Sequence, residues 1–136
     1  LSEGMKNLLA DLKAVNEAGK PEIADTRVHR NPDPAKQKLR AVHPVVRTHP
    51  DTGRKLLFVD RAHTTRFENM TVAESEGLLE YLFQLQIRSE FGCRFKWQKG
   101  SLAFWDNMAC QHYPLNDYHG QKRLLHRISL KGEIPV

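Results

Sequence analysis

Met5, Leu8, Leu9, Leu12 and Val15 recur at helical spacing while Lys6, Asp11 and Lys13 fall on other faces, which predicts an amphipathic helix over residues 3–18 packed on a core. Gly19 and Pro21 supply its stop signal. From 21 to 38 the sequence is polar, proline-punctuated and without period, and reads as a long connector or lid. Short apolar or β-branched runs at 42–48 and 55–59 flank Pro50-Asp51-Thr52-Gly53, a composition suited to a turn, so the pair reads as a β-hairpin. Thr71 followed by Glu74 is a capping box, and Leu78, Leu79, Leu82 and Phe83 carry the helix it opens to about Ile87, lying across the outside of a sheet. Beyond Glu90 the pattern predicts strands at 94–97, 102–105 and 123–130, with a Lys99-Gly100 turn and a loop over 107–121.

Short strands separated by turns, with two helices set apart, make the expected class mainly β with flanking helices, of jelly-roll type. Composition agrees with an ordinary globular chain, at 40% hydrophobic and 27% charged residues over 136 positions. No apolar run is long enough to span a bilayer. Two cysteines, Cys93 and Cys110, read as free thiols in a reducing cytoplasm. A net charge of +5 favours anionic partners, either nucleic acid or small acidic molecules. The densest basic cluster, Arg27 to Arg40, lies in the connector and reads as a solvated loop.

The stretch Trp105-Asp106-Asn107-Met108-Ala109-Cys110-Gln111-His112-Tyr113 and the basic run after it concentrate the candidate chemistry. An imidazole such as that of His112 offers a nitrogen donor to a divalent transition metal, and the guanidinium forks of Arg123 and Arg127 match carboxylates bidentately. On residues alone, a single His among aromatics is more often packed and hydrogen-bonded than ligating. In a strand, Arg123, Leu125 and Arg127 share one face, opposite Leu124, His126, Ile128 and Leu130. One His-x-Asp occurs within the chain, His49-Pro50-Asp51, and with His112 it is an internal rival for a complete metal triad. Its place in a Pro-Asp-Thr-Gly turn, where the Asp51 carboxylate is expected to accept as in an Asx-turn, argues against it.

Four stretches in order carry a resemblance: His43-Pro44-Val45-Val46-Arg47-Thr48-His49-Pro50, Leu57-Phe58-Val59, Trp105-Asp106-Asn107, and Gln111-His112-Tyr113 with Arg123 and His126-Arg127. Residues 42–135 resemble the C-terminal half of the taurine dioxygenase family, Fe(II)- and 2-oxoglutarate-dependent oxygenases. The resemblance implies that residues 1–136 are the C-terminal half of one oxygenase domain. Residues 1–41 would be helix and connector, and 42–136 the strands of half a double-stranded β-helix with a covering helix. The family's His-x-Asp/Glu would then lie upstream of Leu1.

By the same resemblance His112 is the distal Fe(II) ligand, Arg123 binds 2-oxoglutarate as co-substrate, and Arg127 and His63 meet the substrate. His63 stands where the family has a substrate-contacting Phe. Trp105 and Asn107 surround the metal site. Met108 departs from the pattern, since the family places Arg after this Asn. The implied activity is hydroxylation of a small anionic substrate, such as a sulfonate, sulfate ester or carboxylate, with oxygen consumed. Self-association remains open, and no membrane or nucleic-acid partner is expected. Two alternatives are a non-catalytic fragment or relative of the family, and a basic β domain stacking nucleic acid on Arg94-Phe95-Lys96-Trp97.

Overall fold

The computed structural model describes residues 1–18, 39–115, 117–132 and 134, so the predicted connector over 21–38 lies outside the described residues. Helix α1 spans Glu3–Ala10, its first turn capped by the Ser2 hydroxyl, which accepts from Met5 N–H at 3.3 Å. The predicted helix over 3–18 is therefore half right. Asp11 ends α1, and strand β1 follows over Lys13–Glu17. Leu12 and Val15 fit a helical stripe, but tertiary pairing decides the outcome. β1 is the central strand of a three-stranded antiparallel sheet, between β2 (Arg40–Pro44) and β5 (Thr64–Phe67), and both of its edges are hydrogen-bonded. Ala14 and Val15 are both buried there, while Leu8, assigned to the core by spacing, is more than half exposed.

The predicted strand over 42–48 is broken at Val45. This buried residue is the corner where the chain leaves one sheet for the next: its N–H donates to the Leu12 carbonyl at 2.9 Å, and its carbonyl accepts from Phe58 N–H at 2.7 Å. Strands β3 (Val46–Thr48) and β4 (Lys55–Leu57) then form the expected hairpin, with Arg47 opposite Leu56. Gly53 supplies a φ of 67° in its turn, where any other residue would be strained. β5 has no counterpart in the sequence pattern, because Thr64-Thr65-Arg66-Phe67 is too short to show alternation.

Helix α2 spans Val72–Gln86 and has the predicted capping box: Glu74 N–H donates to Thr71 Oγ1, and Thr71 N–H to Glu74 Oε2. Ser75 stitches it to the sheet, accepting Phe67 N–H at 3.0 Å while donating to the Thr71 carbonyl at 2.8 Å. One core joins Leu9, Ala14, Val45, Val59, Phe67, Leu79, Leu82 and Phe83. Fully burying a side chain such as Leu9 or Leu82 contributes about 1.5–3 kcal/mol.

The strands predicted at 94–97, 102–105 and 123–130 do not form. After a single 3-10 turn at Ser89–Phe91, the described residues make no ladder, and Phe104 and Ile128 are 88% and 92% exposed. Alternation alone cannot hold a strand; it needs a neighbour to take its N–H and C=O groups. By number of elements the architecture is still mainly β, with five strands and two longer helices among the described residues. No helix among them is long and apolar enough to cross a membrane.

Candidate active site

His112 sits two residues beyond a tight turn whose geometry is set by Asp106. The Asp106 side-chain Oδ1 accepts Met108 N–H at 2.8 Å, and its carbonyl accepts the N–H of Ala109 at 3.3 Å and of Cys110 at 3.0 Å. Gln111 then anchors the chain to the folded body, its amide donating to the Val59 carbonyl at 3.2 Å and to Gln86 Oε1 at 2.9 Å. The rings of Trp105 and His112 pack with centroids 5.1 Å apart. His112 is exposed, and its ring nitrogens have no hydrogen bond among the described residues.

The turn is also held from the hairpin. His49 is only 7% exposed and places Nε2 at 2.6 Å from Asp106 Oδ2. Its Nδ1 accepts from Asp51 N–H at 3.2 Å and Thr52 N–H at 3.3 Å. Two donors at Nδ1 fix the proton on Nε2, so the ring is neutral and donates to the carboxylate. This excludes His49-Pro50-Asp51 as a ligand pair in this conformation, since both ring nitrogens are engaged. It also corrects the expected Asx-turn, because the His49 ring, not the Asp51 carboxylate, accepts the N–H groups of Asp51 and Thr52.

Hydrogen bonding from His49, then from Met108, holds the Asp106 carboxyl below its usual range. Beside it, Arg47 is 3% exposed, lies over the Phe58 ring at 5.0 Å and reaches Met108 Sδ at 3.5 Å. The Met108 thioether and the Phe58 ring are thus both neighbours of this buried guanidinium.

His63 stands apart from the turn, lining an open cavity of about 440 Å³ with Asn16, Arg40, His43, Phe58 and Asp60. Asp60 Oδ1 meets both His63 Nδ1 and His63 N–H at 2.9 Å. Burial pushes the Asp60 carboxyl up, but hydrogen bonds from the His63 ring and from the backbone of His63 and Ala62 outweigh it and hold the group below its ordinary value.

Of the site residues named from sequence, the structure brings Trp105 to His112 and places Asn107 exposed in the turn between them. Arg123 lies over the Tyr118 ring at 5.6 Å, and Arg127 is exposed. Among the described residues, no hydrogen bond, ion pair or ring contact joins either arginine to His112, and no group of three or more His, Cys, Asp or Glu could hold a metal ion. The arginines share no strand face, since the strand does not form. Sequence reasoning missed the part played by His49, Arg47 and Gln111. The motif marked their neighbourhoods, but nothing in the linear pattern pairs His49 with a carboxylate 57 residues away.

Among the described residues, Arg94-Phe95-Lys96-Trp97 forms no strand. Phe95 and Trp97 pack edge to face at 4.9 Å outside any strand, and Arg94 pairs with Asp117 at 2.9 Å.

Comparison with known proteins places this geometry among relatives. A family model described as taurine catabolism dioxygenase TauD, TfdA family, matches residues 1–129. An alpha-ketoglutarate-dependent sulfate ester dioxygenase of Pseudomonas putida is 39% identical over 94 residues, covering 69% of this chain and 31% of the relative. An alpha-ketoglutarate-dependent sulfonate dioxygenase of Saccharomyces cerevisiae is 30% identical over 138 residues, covering 100% of this chain and 33% of the relative. The crystal structure of a taurine dioxygenase from Burkholderia xenovorans matches with a TM-score of 0.65 at 36% identity, covering 80% of this chain and 33% of that one. The chain thus spans about a third of the length of each of these proteins.

Proposed function

This chain belongs to the TauD, TfdA family of taurine catabolism dioxygenases, and from that premise we propose that it carries part of the active site of an Fe(II)- and 2-oxoglutarate-dependent dioxygenase acting on a small anionic substrate. The observation that carries the reading is the presentation of His112: packed on Trp105, next to a turn pinned to the hairpin and to α2, with no hydrogen bond on either ring nitrogen among the described residues. An imidazole in that state fits one position of a transition-metal ligand set.

Among the described residues no group of three or more His, Cys, Asp or Glu could hold a metal ion, so of these residues His112 is the one assigned to hold Fe(II). When bound, Fe(II) with 2-oxoglutarate and oxygen supplies the oxidising power to hydroxylate a C–H bond. The chain's own residues bind and orient. Arg123 offers a fork to the distal carboxylate of 2-oxoglutarate, and Arg127 offers one to the anionic group of the substrate. His63 brings a polar ring to the cavity wall, and Trp105 and Asn107 frame the metal ligand. The names of the relatives favour sulfonates and sulfate esters as substrate classes. In this reading the chain contributes to one half of a double-stranded β-helix, although its residues 94–97, 102–105 and 123–130 form no strand here. Its exposed thiols, Cys93 and Cys110, suit a reducing cytoplasm.

The test is iron binding and 2-oxoglutarate-dependent oxygen consumption by the complete polypeptide, with and without His112→Ala. Loss of bound iron and of at least 100-fold of the turnover is expected, on the order of what an electrophilic or ligand group contributes. Unchanged iron affinity in the variant would remove His112 from the ligand set.

A further inference from the structure

The hairpin tip and the Asp106 turn are far apart in sequence, yet one side chain ties them. We infer that His49 is a positioning residue for the metal site: as a neutral Nε2–H donor it locks Asp106, and through Asp106 the turn that presents His112. The inference rests on the proposal that His112 binds the metal.

His49 is built into its own turn, with Nδ1 accepting from Asp51 and Thr52 N–H and the residue only 7% exposed, so its direction is set by the hairpin. Nε2 therefore has one orientation, and at its end stands Asp106 Oδ2 at 2.6 Å. The other carboxylate oxygen, Oδ1, takes Met108 N–H at 2.8 Å. The two oxygens of Asp106 thus act separately, one facing the hairpin and the other shaping the turn. Such a division needs two acceptor oxygens on one side chain, and a carboxylate supplies both. An amide at 106 has a single oxygen and must abandon one of the two bonds. If the turn loosens, the backbone between Asp106 and His112 loses its fixed start, and the Trp105 to His112 packing with it.

This is more than hairpin stability, because the hairpin has its own ladder and turn bonds. His49 N–H donates to the Arg54 carbonyl at 2.8 Å and Gly53 N–H to the His49 carbonyl at 2.9 Å, neither of which uses the imidazole. The ring is additional, and among the described residues its hydrogen-bond partner outside the hairpin is Asp106.

The experiment uses the complete polypeptide and five variants, His49→Ala, His49→Gln, Asp106→Asn, the double variant His49→Ala with Asp106→Asn, and His112→Ala, with Co(II) affinity measured by titration and thermal unfolding measured on the same samples. His49→Ala and Asp106→Asn are expected to weaken Co(II) about tenfold, the lower end of what outer partners of metal ligands contribute. Their double variant should be no worse than either alone, since both remove one tie. A glutamine can accept with Oε1 and donate with its amide, so His49→Gln should recover much of the affinity. If His49→Ala and Asp106→Asn unfold at lower temperature but bind Co(II) as tightly as the unaltered protein, His49 is structural only and the inference is overturned. If His112→Ala binds Co(II) normally, the ligand assignment itself fails, and the inference with it. Loss in His112→Ala with no loss in either tie variant overturns the inference alone.

Discussion

Asp60 illustrates how a single carboxylate at the cavity wall couples structure to pH. Its folded value lies below the ordinary 3.8, because the hydrogen bonds from His63 and Ala62 outweigh the burial that would raise it. A depressed carboxyl contributes stability that is complete above the unfolded value and is lost as pH falls through the lower folded value. Asp60→Asn should therefore lower the urea midpoint at pH 7 by the equivalent of about 1 kcal/mol, the net worth of a partly exposed hydrogen-bonded group. The difference between variant and unaltered chain should shrink steadily below about pH 3.8 and vanish once native Asp60 is protonated. A difference that persists undiminished at lower pH would mean that Asp60 acts by packing and not by charge. At this scale the sequence indicated which residues matter and not what they touch. The motif marks Trp105 and His112 because their spacing is local. The Asp60 partnership could have been read from an Asp three residues before a His in a turn-prone stretch, whereas Arg47 beside Met108 is a contact across 61 residues that no local pattern encodes.

Elements were legible where their signals are local, and α2 is the clearest case. Its capping box is four consecutive positions, and the structure has both reciprocal bonds. The C-terminal half of the first predicted helix failed because pairing of β1 with two neighbours outweighs the few tenths of a kcal/mol by which propensity prefers one state. β5 escapes the pattern for a related reason: a four-residue strand is defined by its partner, β1, and by Ser75 reaching back from α2. That bond makes a contrast between two hydroxyls on one helix. Thr71→Ala removes an exposed cap and should cost about 1 kcal/mol. Ser75→Ala should cost more, about 1–3 kcal/mol, because Ser75 is fully buried and its loss leaves Phe67 N–H without an acceptor inside the core. Chemical denaturation of the two variants checks the order; equal costs would show that water or a shifted backbone satisfies Phe67.

For the whole molecule, the division between core and site segment governs what can be ordered. Every buried residue of the core precedes position 84, and none of the described residues after Phe83 is buried. The segment that carries His112, Arg123 and Arg127 is attached to that core by polar ties at Asp106, Met108 and Gln111, and leaves Leu102, Phe104, Leu124, Ile128 and Leu130 exposed. Its strand-like alternation is legible in the sequence, yet alternation records only which face a strand would bury, not whether a neighbouring strand is there to bond it. Amide hydrogen exchange separates the two regimes. In the 136-residue chain, β1 amides bonded to β2 and β5 should be among the slowest to exchange, since only global or large subglobal opening exposes them. Amides over 123–130 should exchange at close to the rate of an unstructured peptide. Within the site segment the exceptions should be Met108, Ala109 and Cys110, whose N–H groups are all bonded to Asp106, and their protection should fall selectively in His49→Ala while that of β1 holds. Strong protection over 123–130 would mean that those residues pair as a strand after all, and equal loss everywhere in His49→Ala would mean that His49 supports the whole fold and not the turn alone.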